Sequence, residues 1–233
     1  MQEKITKFPR FKYSLDSEIN MVLTCDVLKA DRVEEALDLV SFCVANNEPV
    51  LGTLIGPKLH DLKVFHPLKE MIVTEGLSTV VVDSETNKVV GCRLSSDSKE
   101  DNGTLPIDVE MYPQCKSFYR MWDHLKQLWA ENRPNTVAKH ELGYWIAVAV
   151  DPSYGNRGIG QQLYAENIRL LKSRGYKGAY CVCTSAFSSA ASEKVGAKKI
   201  CAAQYGTWEE ENGFPLIAIK PPHVECCIRE VNF

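Results

Sequence analysis

Three glycines fall within six positions, Gly155-Asn156-Arg157-Gly158-Ile159-Gly160, between an apolar run ending at Val150 and an amphipathic segment opening at Gln161. Residues without a Cβ let the main chain approach a ligand closely and aim successive N–H groups at it, and the positive end of a following helix favours an anion. The run from Glu141 to Val150 reads as a strand buried on both faces. Beyond the glycines, Leu163, Ile168, Leu170 and Leu171 recur at helical spacing until Gly175 ends the segment. Strand, anion-cradling turn and helix together make an α/β unit. The spacing is GxxGxG, so it is not the GxGxxG of dinucleotide folds, and Gln161-Gln162 stand where a P-loop carries Lys-Ser/Thr. Taken locally, the run reads equally well as a plain glycine-rich turn.

The flanking segments continue the α/β pattern. Gly178 to Thr184 reads as the next strand, Ser188 to Val195 as a short helix stopped by Gly196, and two β-rich runs follow near Lys198 to Tyr205 and Phe214 to Arg229. In the first half, Val22 to Lys29 reads as a strand. Asp31 is the expected N-cap of a helix carrying Val33, Ala36, Leu37 and Val40, broken at Asn46-Asn47-Glu48-Pro49. Residues 57–75 read as helical with an interruption at Pro67, and Leu77 to Asp83 with Lys88 to Leu94 as a hairpin. Ser95 to Thr104 is polar and is expected to be a mobile loop, and residues 114–131 form another helix. No linker or repeat divides the chain, so residues 1–233 are expected to form one domain, with 1–20 as an N-terminal extension.

With 233 residues, 45% hydrophobic and 24% charged, the chain has the composition of a globular protein and not of a disordered one. A net charge of −3 argues against a generic nucleic-acid binder. No run approaches the length of a membrane span and the N-terminus lacks the apolar stretch of a signal peptide, so a cytoplasmic monomer is expected. Nine cysteines, an odd number, then read as reduced thiols packing as small hydrophobes. No metal is expected: there is no CxxC, and His140-Glu141 lacks the second histidine of HExxH.

The stretch YWIAVAVDPSYGNRGIGQQLYAENIRLLKSRGYKGAYCVCTSAFSSAASEKVGAKKI resembles the coenzyme-A-binding half of the GNAT superfamily of N-acetyltransferases. There a strand ending in V-x-P precedes Q/R-x-x-G-x-G/A and a helix. Val150, Pro152, Gly158 and Gly160 match, whereas Gly155 stands where the family has Gln or Arg. Glu193-Lys194-Val195-Gly196-Ala197 resembles the family's Y-x-K-x-G-F ending, with Ser192 in place of the tyrosine that in many members protonates the departing thiolate. The resemblance implies a mixed, mostly antiparallel sheet of about seven strands flanked by helices. It also implies acetyl-CoA as co-substrate, held by Val148, Val150, Gly155, Asn156, Arg157, Gly158, Ile159, Gly160 and Ser188.

Three further pieces, Asn47-Glu48-Pro49-Val50, Cys183-Thr184-Ser185-Ala186-Phe187-Ser188 and Pro221-Pro222-His223-Val224, resemble the D-E-P-L/V, C-S-S-x-Y/F-S and P-H-V motifs of invertebrate arylalkylamine (dopamine) N-acetyltransferases. That likeness spans residues 20–230 and implies Glu48 as general base, Thr184 and Ser188 as the hydroxyl-bearing pair, and Pro49, Phe187 and His223 at the amine. The chemistry is coherent. A primary amine of pKa ~10 must lose a proton before it attacks a thioester, and a carboxylate with apolar neighbours such as Pro49, Val50 and Leu51 gains basicity. A thiolate of aqueous pKa ~8.5 gains only modestly from a hydroxyl donor such as Ser188. The expected reaction is direct acetyl transfer to an arylalkylamine such as dopamine, tyramine, octopamine, serotonin or tryptamine. A polyamine, agmatine or long-chain acyl-CoA enzyme of the same fold, and a non-catalytic acyl-CoA-binding regulator, are the alternatives.

Overall fold

The computed structural model describes residues 10–15, 19–56, 58–98, 107–108, 110–133, 136–212 and 219–233. In chain order the elements are β1 (Arg10–Leu15), β2 (Ile19–Val27), α1 (Val33–Asn47), α2 (Leu51–Leu54), α3 (Lys58–Asp61), α4 (Lys69–Glu75), β3 (Thr79–Asp83) and β4 (Val89–Asp97). They continue as α5 (Cys115–Glu131), β5 (Leu142–Val150), α6 (Ile159–Ser173), β6 (Gly178–Cys183), α7 (Ala186–Glu193), β7 (Lys198–Gln204), α8 (Tyr205–Asn212) and β8 (Glu225–Asn232). The strands form one mixed sheet in the order β1-β2-β3-β4-β5-β6-β8-β7. Only β5 and β6 run parallel; every other neighbouring pair is antiparallel. The expected sheet of about seven strands is present, with one more contributed by β1 from the stretch read as an extension.

Helices cover both faces. On one, α1 packs against β4 and β5, and α5 against β7 and β8; on the other, α6 lies over β3 to β6 and α7 over β6 and β8. The α1/α5 face buries Leu37, Val40, Phe118, Met121 and Leu125, and the α6/α7 face buries Trp145, Tyr164, Leu171 and Ala179. The β5 sequence is apolar at consecutive positions because it has a covered face on each side.

Several boundaries depart from the sequence reading, each for a local reason. The N-cap of α1 is Arg32 and not Asp31, with no side-chain hydrogen bond; Glu34 and Glu35 instead place negative charge in the first turn. The helix runs through Asn46 to Asn47 and stops only at Glu48, whose φ of −83° and ψ of 121° are those of a residue held extended by the proline after it. The Ser95–Thr104 stretch is not a loop from its start, because β4 continues to Asp97 with Ser95 and Ser96 fully buried. The polarity of Ser95 is satisfied internally: its hydroxyl donates to the Asn167 side chain at 3.2 Å, and its amide donates to Ser78 Oγ at 2.9 Å. Residues 99–104 of that stretch lie outside the described residues. In the 57–75 region, Pro67 sits in a 3-10 turn, His66–Leu68, between α3 and α4. At the C-terminal end β8 begins at Glu225, after a turn at Pro221-Pro222, instead of near Phe214. Residues 213–218 lie outside the described residues. The helix α8 has no counterpart in the sequence reading.

Candidate active site

The parallel ladder between β5 and β6 is short. It pairs Leu142 with Gly178 and ends at Trp145 with Cys181. On its other edge β5 stays paired with β4 to Val150, but the register shifts where Leu94 faces Ala147 and Ser95 faces Trp145, which leaves Ile146 as the extra residue of a bulge. A bulge bends its strand and strengthens the local twist. Past it, the edge of β5 from Ile146 to Val150 turns away from β6, and a slot opens through the sheet.

That slot is a cavity of about 380 Å³. Its lining comes from both faces: Phe65, Phe118 and Trp122 on the α1/α5 side, and Gly160, Tyr164, Ser188 and Ala191 on the α6/α7 side. Between them stand Glu48, Thr184, and the edge residues Ile146 to Val150. Of the site residues expected from sequence, the structure therefore brings together Glu48, Val148, Val150, Gly160, Thr184, Phe187 and Ser188 around one cavity.

Glu48 is delivered by the end of α1. Its extended backbone turns the side chain back over the start of α2, where Oε2 accepts the Leu51 amide. Oε1 is buried and accepts no hydrogen bond. Burial pushes the carboxyl above the ordinary carboxylate range, opposed by the Thr184 hydroxyl and by the Leu51, Val50 and Gly52 amides. Removal from water disfavours the charged form, and hydrogen bonds to it only partly compensate. Thr184 is fixed in turn by Tyr205, whose hydroxyl donates to the Thr184 carbonyl at 2.5 Å.

The helix α7 starts at Ala186, two residues before the Ser188 start read from the sequence, and its N-cap is Ser185, which accepts the Ser188 amide at 3.0 Å. Ser188 lies in the first turn and donates its hydroxyl to the Ser185 carbonyl at 3.0 Å. Phe187 projects at the cavity mouth and is 68% exposed, an unusual position for so large an apolar side chain. His223 does not line the cavity. Its Nδ1 accepts the Ala186 amide at 3.1 Å, satisfying one of the free N–H groups of the first turn of α7, and its ring meets Phe187 edge-on at 5.2 Å. Pro49, half-buried, forms the turn between α1 and α2 and likewise lies off the cavity.

The glycine-rich turn forms the N-terminal approach to α6. Gly158 is its N-cap at φ +74°, with no side chain capping the first turn, and Asn156 is also left-handed at φ +59°. The first-turn amides of a 15-residue helix are thus free to meet an anion. Gly155 and Arg157 lie on this turn outside the cavity, and the Arg157 guanidinium sits 5.2 Å from the Tyr154 ring. Tyr154 fastens the turn to the hairpin by donating to Asp83 Oδ2 at 2.6 Å. Ile159 points the other way, into a core with Leu23 and Val90. Ser192, at the position of the family's tyrosine, is fully buried and donates to the Ser189 carbonyl at 2.9 Å.

The sequence reading missed Tyr164, Val182, Ser185 and Trp122 as site residues. Two carried a usable signal: Tyr164 falls one turn after Gly160, and Trp122 one turn after Phe118. Among the described residues no group of three His, Cys, Asp or Glu side chains is placed to hold a metal ion, and no helix is long and apolar enough to cross a membrane.

A parallel pair that parts at a bulge beside a glycine-capped helix start leaves a free strand edge and an anion-accepting turn on one slot, and comparison with known proteins gives the family that carries it. Residues 58–192 match the profile of the acetyltransferase (GNAT) family. The chain belongs to that family of acetyltransferases, which use acetyl-CoA. No curated protein sequence matches it. Among solved structures it is similar to a putative arylalkylamine N-acetyltransferase 7 from the yellow fever mosquito Aedes aegypti, with a TM-score of 0.76 and 20% identity, over 97% of each chain. It is also similar to the C-terminal condensation domain of Ebony in complex with β-alanyl-dopamine, with a TM-score of 0.71 and 13% identity over 91% of this chain and 99% of that one. A Drosophila melanogaster polyamine N-acetyltransferase that forms N-acetylagmatine superposes with a TM-score of 0.68 and 16% identity, over 91% of this chain and all of that one. At such identities the likeness is one of fold.

Proposed function

We propose that this protein acetylates the primary amine of an arylalkylamine, with Glu48 as the general base. The observation that carries the reading is the placement of one buried, half-satisfied carboxylate between an aromatic chamber and a glycine-capped helix start. Acetyl-CoA fits the α6/α7 side: the free edge of β5 offers main-chain groups to an extended arm, and the open first turn of α6 suits a pyrophosphate. When bound, it supplies the activated acetyl thioester.

The chain's own residues do the rest. Phe65, Phe118 and Trp122 enclose an apolar body and exclude water from the reacting amine. Oε1 of Glu48, lacking any other partner, accepts the ammonium proton directly or through one water. Because the slot opens on both faces of the sheet, both substrates are bound together and no acyl-enzyme is needed. The Ser188 hydroxyl stands on the thioester side, where the amide dipoles of the first turn of α7 also favour developing negative charge, while the Thr184 hydroxyl acts on Glu48.

The same lining argues against a polyamine or agmatine. Glu48 is the one carboxylate among the described lining residues, so the second positive charge of a dication would enter an apolar chamber unpaired. A purely acyl-CoA-binding regulator has no use for a carboxylate buried at such cost. The test is thiol release from acetyl-CoA with dopamine, tryptamine, spermidine and agmatine, compared by kcat/KM. The aromatic amines are expected to lead by at least ~10-fold. Preference for spermidine or agmatine, or no turnover with any aromatic ethylamine, overturns the assignment.

A further inference from the structure

Behind Tyr164, the α6/α7 face of the sheet holds a cation without an anion. Arg93, on β4, is 1% exposed. Its guanidinium carbon lies 3.8 Å from the centroid of the Tyr164 ring and 4.5 Å from that of Trp145. Its Nε and Nη1 have no hydrogen-bond partner, and no carboxylate among the described residues pairs with it. Two aromatic faces ease the desolvation of a guanidinium but do not neutralise it.

The same packed cluster contains three thiols. Cys181 and Cys183, two residues apart on one face of β6, have their sulfurs 3.4 Å from each other. Cys183 Sγ also lies 3.6 Å from Ser192 Oγ, and Cys227 Sγ lies 3.7 Å from Ser189 Oγ. The hydrogen bond from Cys183, and then the charge of Arg93, hold the Cys181 thiol below the ordinary range against the opposing effect of burial. Elsewhere burial pushes thiols up, Cys25 to about 12 and Cys43 and Cys115 to about 11. The acetyl-transfer chemistry uses none of these groups.

We propose that Cys181 and Cys183 form an oxidisable dithiol, in which Arg93 is the counter-charge of the Cys181 thiolate, Cys183 is the resolving thiol and a small hydroperoxide is the oxidant. The Cys181 thiolate attacks one peroxide oxygen, the O–O bond breaks and hydroxide leaves, so Cys181 becomes a sulfenic acid. The Cys183 thiol then attacks that sulfur. The S–S bond forms, the S–O bond breaks, and the departing hydroxyl takes the Cys183 proton as water. Two thiols lose two electrons, and hydrogen peroxide ends as two waters. Residues two apart on a strand have Cα atoms ~6.6 Å apart, at the upper edge of what a disulfide spans, so the end of β6 must pucker. Beyond Cys181 that strand is paired on one edge only, with β8 at Val182 and Cys183 and not with β5, and Thr184, in the slot, is the next residue after Cys183.

The full chain, reduced and then exposed to a small excess of hydrogen peroxide at neutral pH, is quenched with N-ethylmaleimide and cut with trypsin without reduction. Cleavage after Lys177 and Lys194 leaves Cys181 and Cys183 in one peptide and Cys226 and Cys227 in another. The expected product is the first peptide, unalkylated and lighter by two hydrogens. A cross-link to the second peptide, which the direct β6–β8 pairing of Cys183 with Cys227 would favour, overturns the assignment, as does oxidation that spares Cys181. In Cys183→Ser a dione probe should trap sulfenic acid on Cys181, and failure to trap it counts against the proposal. Arg93→Met should slow maleimide labelling of Cys181 by ~10-fold at neutral pH, and Arg93→Lys should largely restore it. If Arg93→Met does not fold, wild-type labelling against pH decides: Cys181 must react at lower pH than Cys183 and Cys227, and equal profiles refute the role of Arg93.

Discussion

Oε2 of Glu48 accepts the backbone amide of Leu51, three residues ahead, while Oε1 of the same carboxylate is buried with no hydrogen bond at all. One oxygen is spent on holding the side chain in place; the other is left to chemistry. A carboxyl raised by burial favours its neutral form in the folded state, so its contribution to stability is present below the unfolded pKa of ~4.3 and is lost as pH rises through the folded value. Glu48→Gln should therefore melt higher than wild type near pH 8, with the difference vanishing toward pH ~4. Its kcat/KM should fall by ~10²-fold or more at neutral pH. Calorimetry and steady-state kinetics on the same preparation check both; parallel losses of stability and activity would mark Glu48 as structural.

Thr184 bears on the same proton. Its hydroxyl lowers the Glu48 pKa, so Thr184→Val removes a restraint and moves the carboxyl further up. The ascending limb of kcat/KM against pH should shift to higher pH, with the plateau rate less affected. An unmoved limb would show that another group titrates in the rate.

The two glycines at the start of α6 should fail differently. A methyl group added at Gly158 would meet open space, but the backbone there sits at φ +74°, so Gly158→Ala carries only backbone strain of ~1–2 kcal/mol, or ~3–6 °C in Tm. At Gly160 an added Cβ would meet Val150 at 3.8 Å, an ordinary contact, yet the position lines the slot. Gly160→Ala should keep its Tm and raise the KM for acetyl-CoA. Thermal melts with acetyl-CoA titrations separate the two.

Tyr154 and Asp83 tie the glycine turn to the β3–β4 hairpin. Burial acts to raise Asp83, but hydrogen bonds from Tyr154 and from the Glu85 and Thr86 amides outweigh it and leave the carboxyl below its ordinary range. A depressed carboxyl stabilises above its unfolded pKa of ~3.9 and loses that contribution as pH falls through the folded value. Tyr154→Phe should cost ~1–2 kcal/mol at pH 7, and the penalty should shrink below pH ~3. A pH-independent penalty would assign the loss to packing.

The parts of the fold that were readable lie close together in sequence. The β5–α6–β6 unit and its glycines obey local rules of periodicity and backbone freedom, and the structure places them where those rules put them, whereas α7 is capped at Lys194 and Gly196 follows two residues later at φ +90°. Pro49 likewise foretold the end of α1, although only the structure shows that the residue it forces out of the helix is Glu48 itself. What escaped depends on contacts across the sheet. Ser95 and Ser96 read as loop because their polarity was visible and the partners of Ser95, Asn167 and Ser78, were not. The bulge at Ile146 escaped too, because it is a relation between two strands and leaves no mark on either alone. His223 carried its functional signal in a motif, while its hydrogen bond to the Ala186 amide is a structural one.

The parting of β5 from β6 also bears on self-association. A strand with unpaired main-chain groups ordinarily invites another polypeptide to add itself to the sheet, and proteins guard such edges with charge, proline or a bulge. Here the open edge lies in the middle of the sheet, between α1 on one face and α6 on the other. A single extended chain of small-molecule width can reach it, and the broad edge of a neighbouring sheet cannot. The molecule thus keeps an adhesive surface without the hazard of polymerising through it.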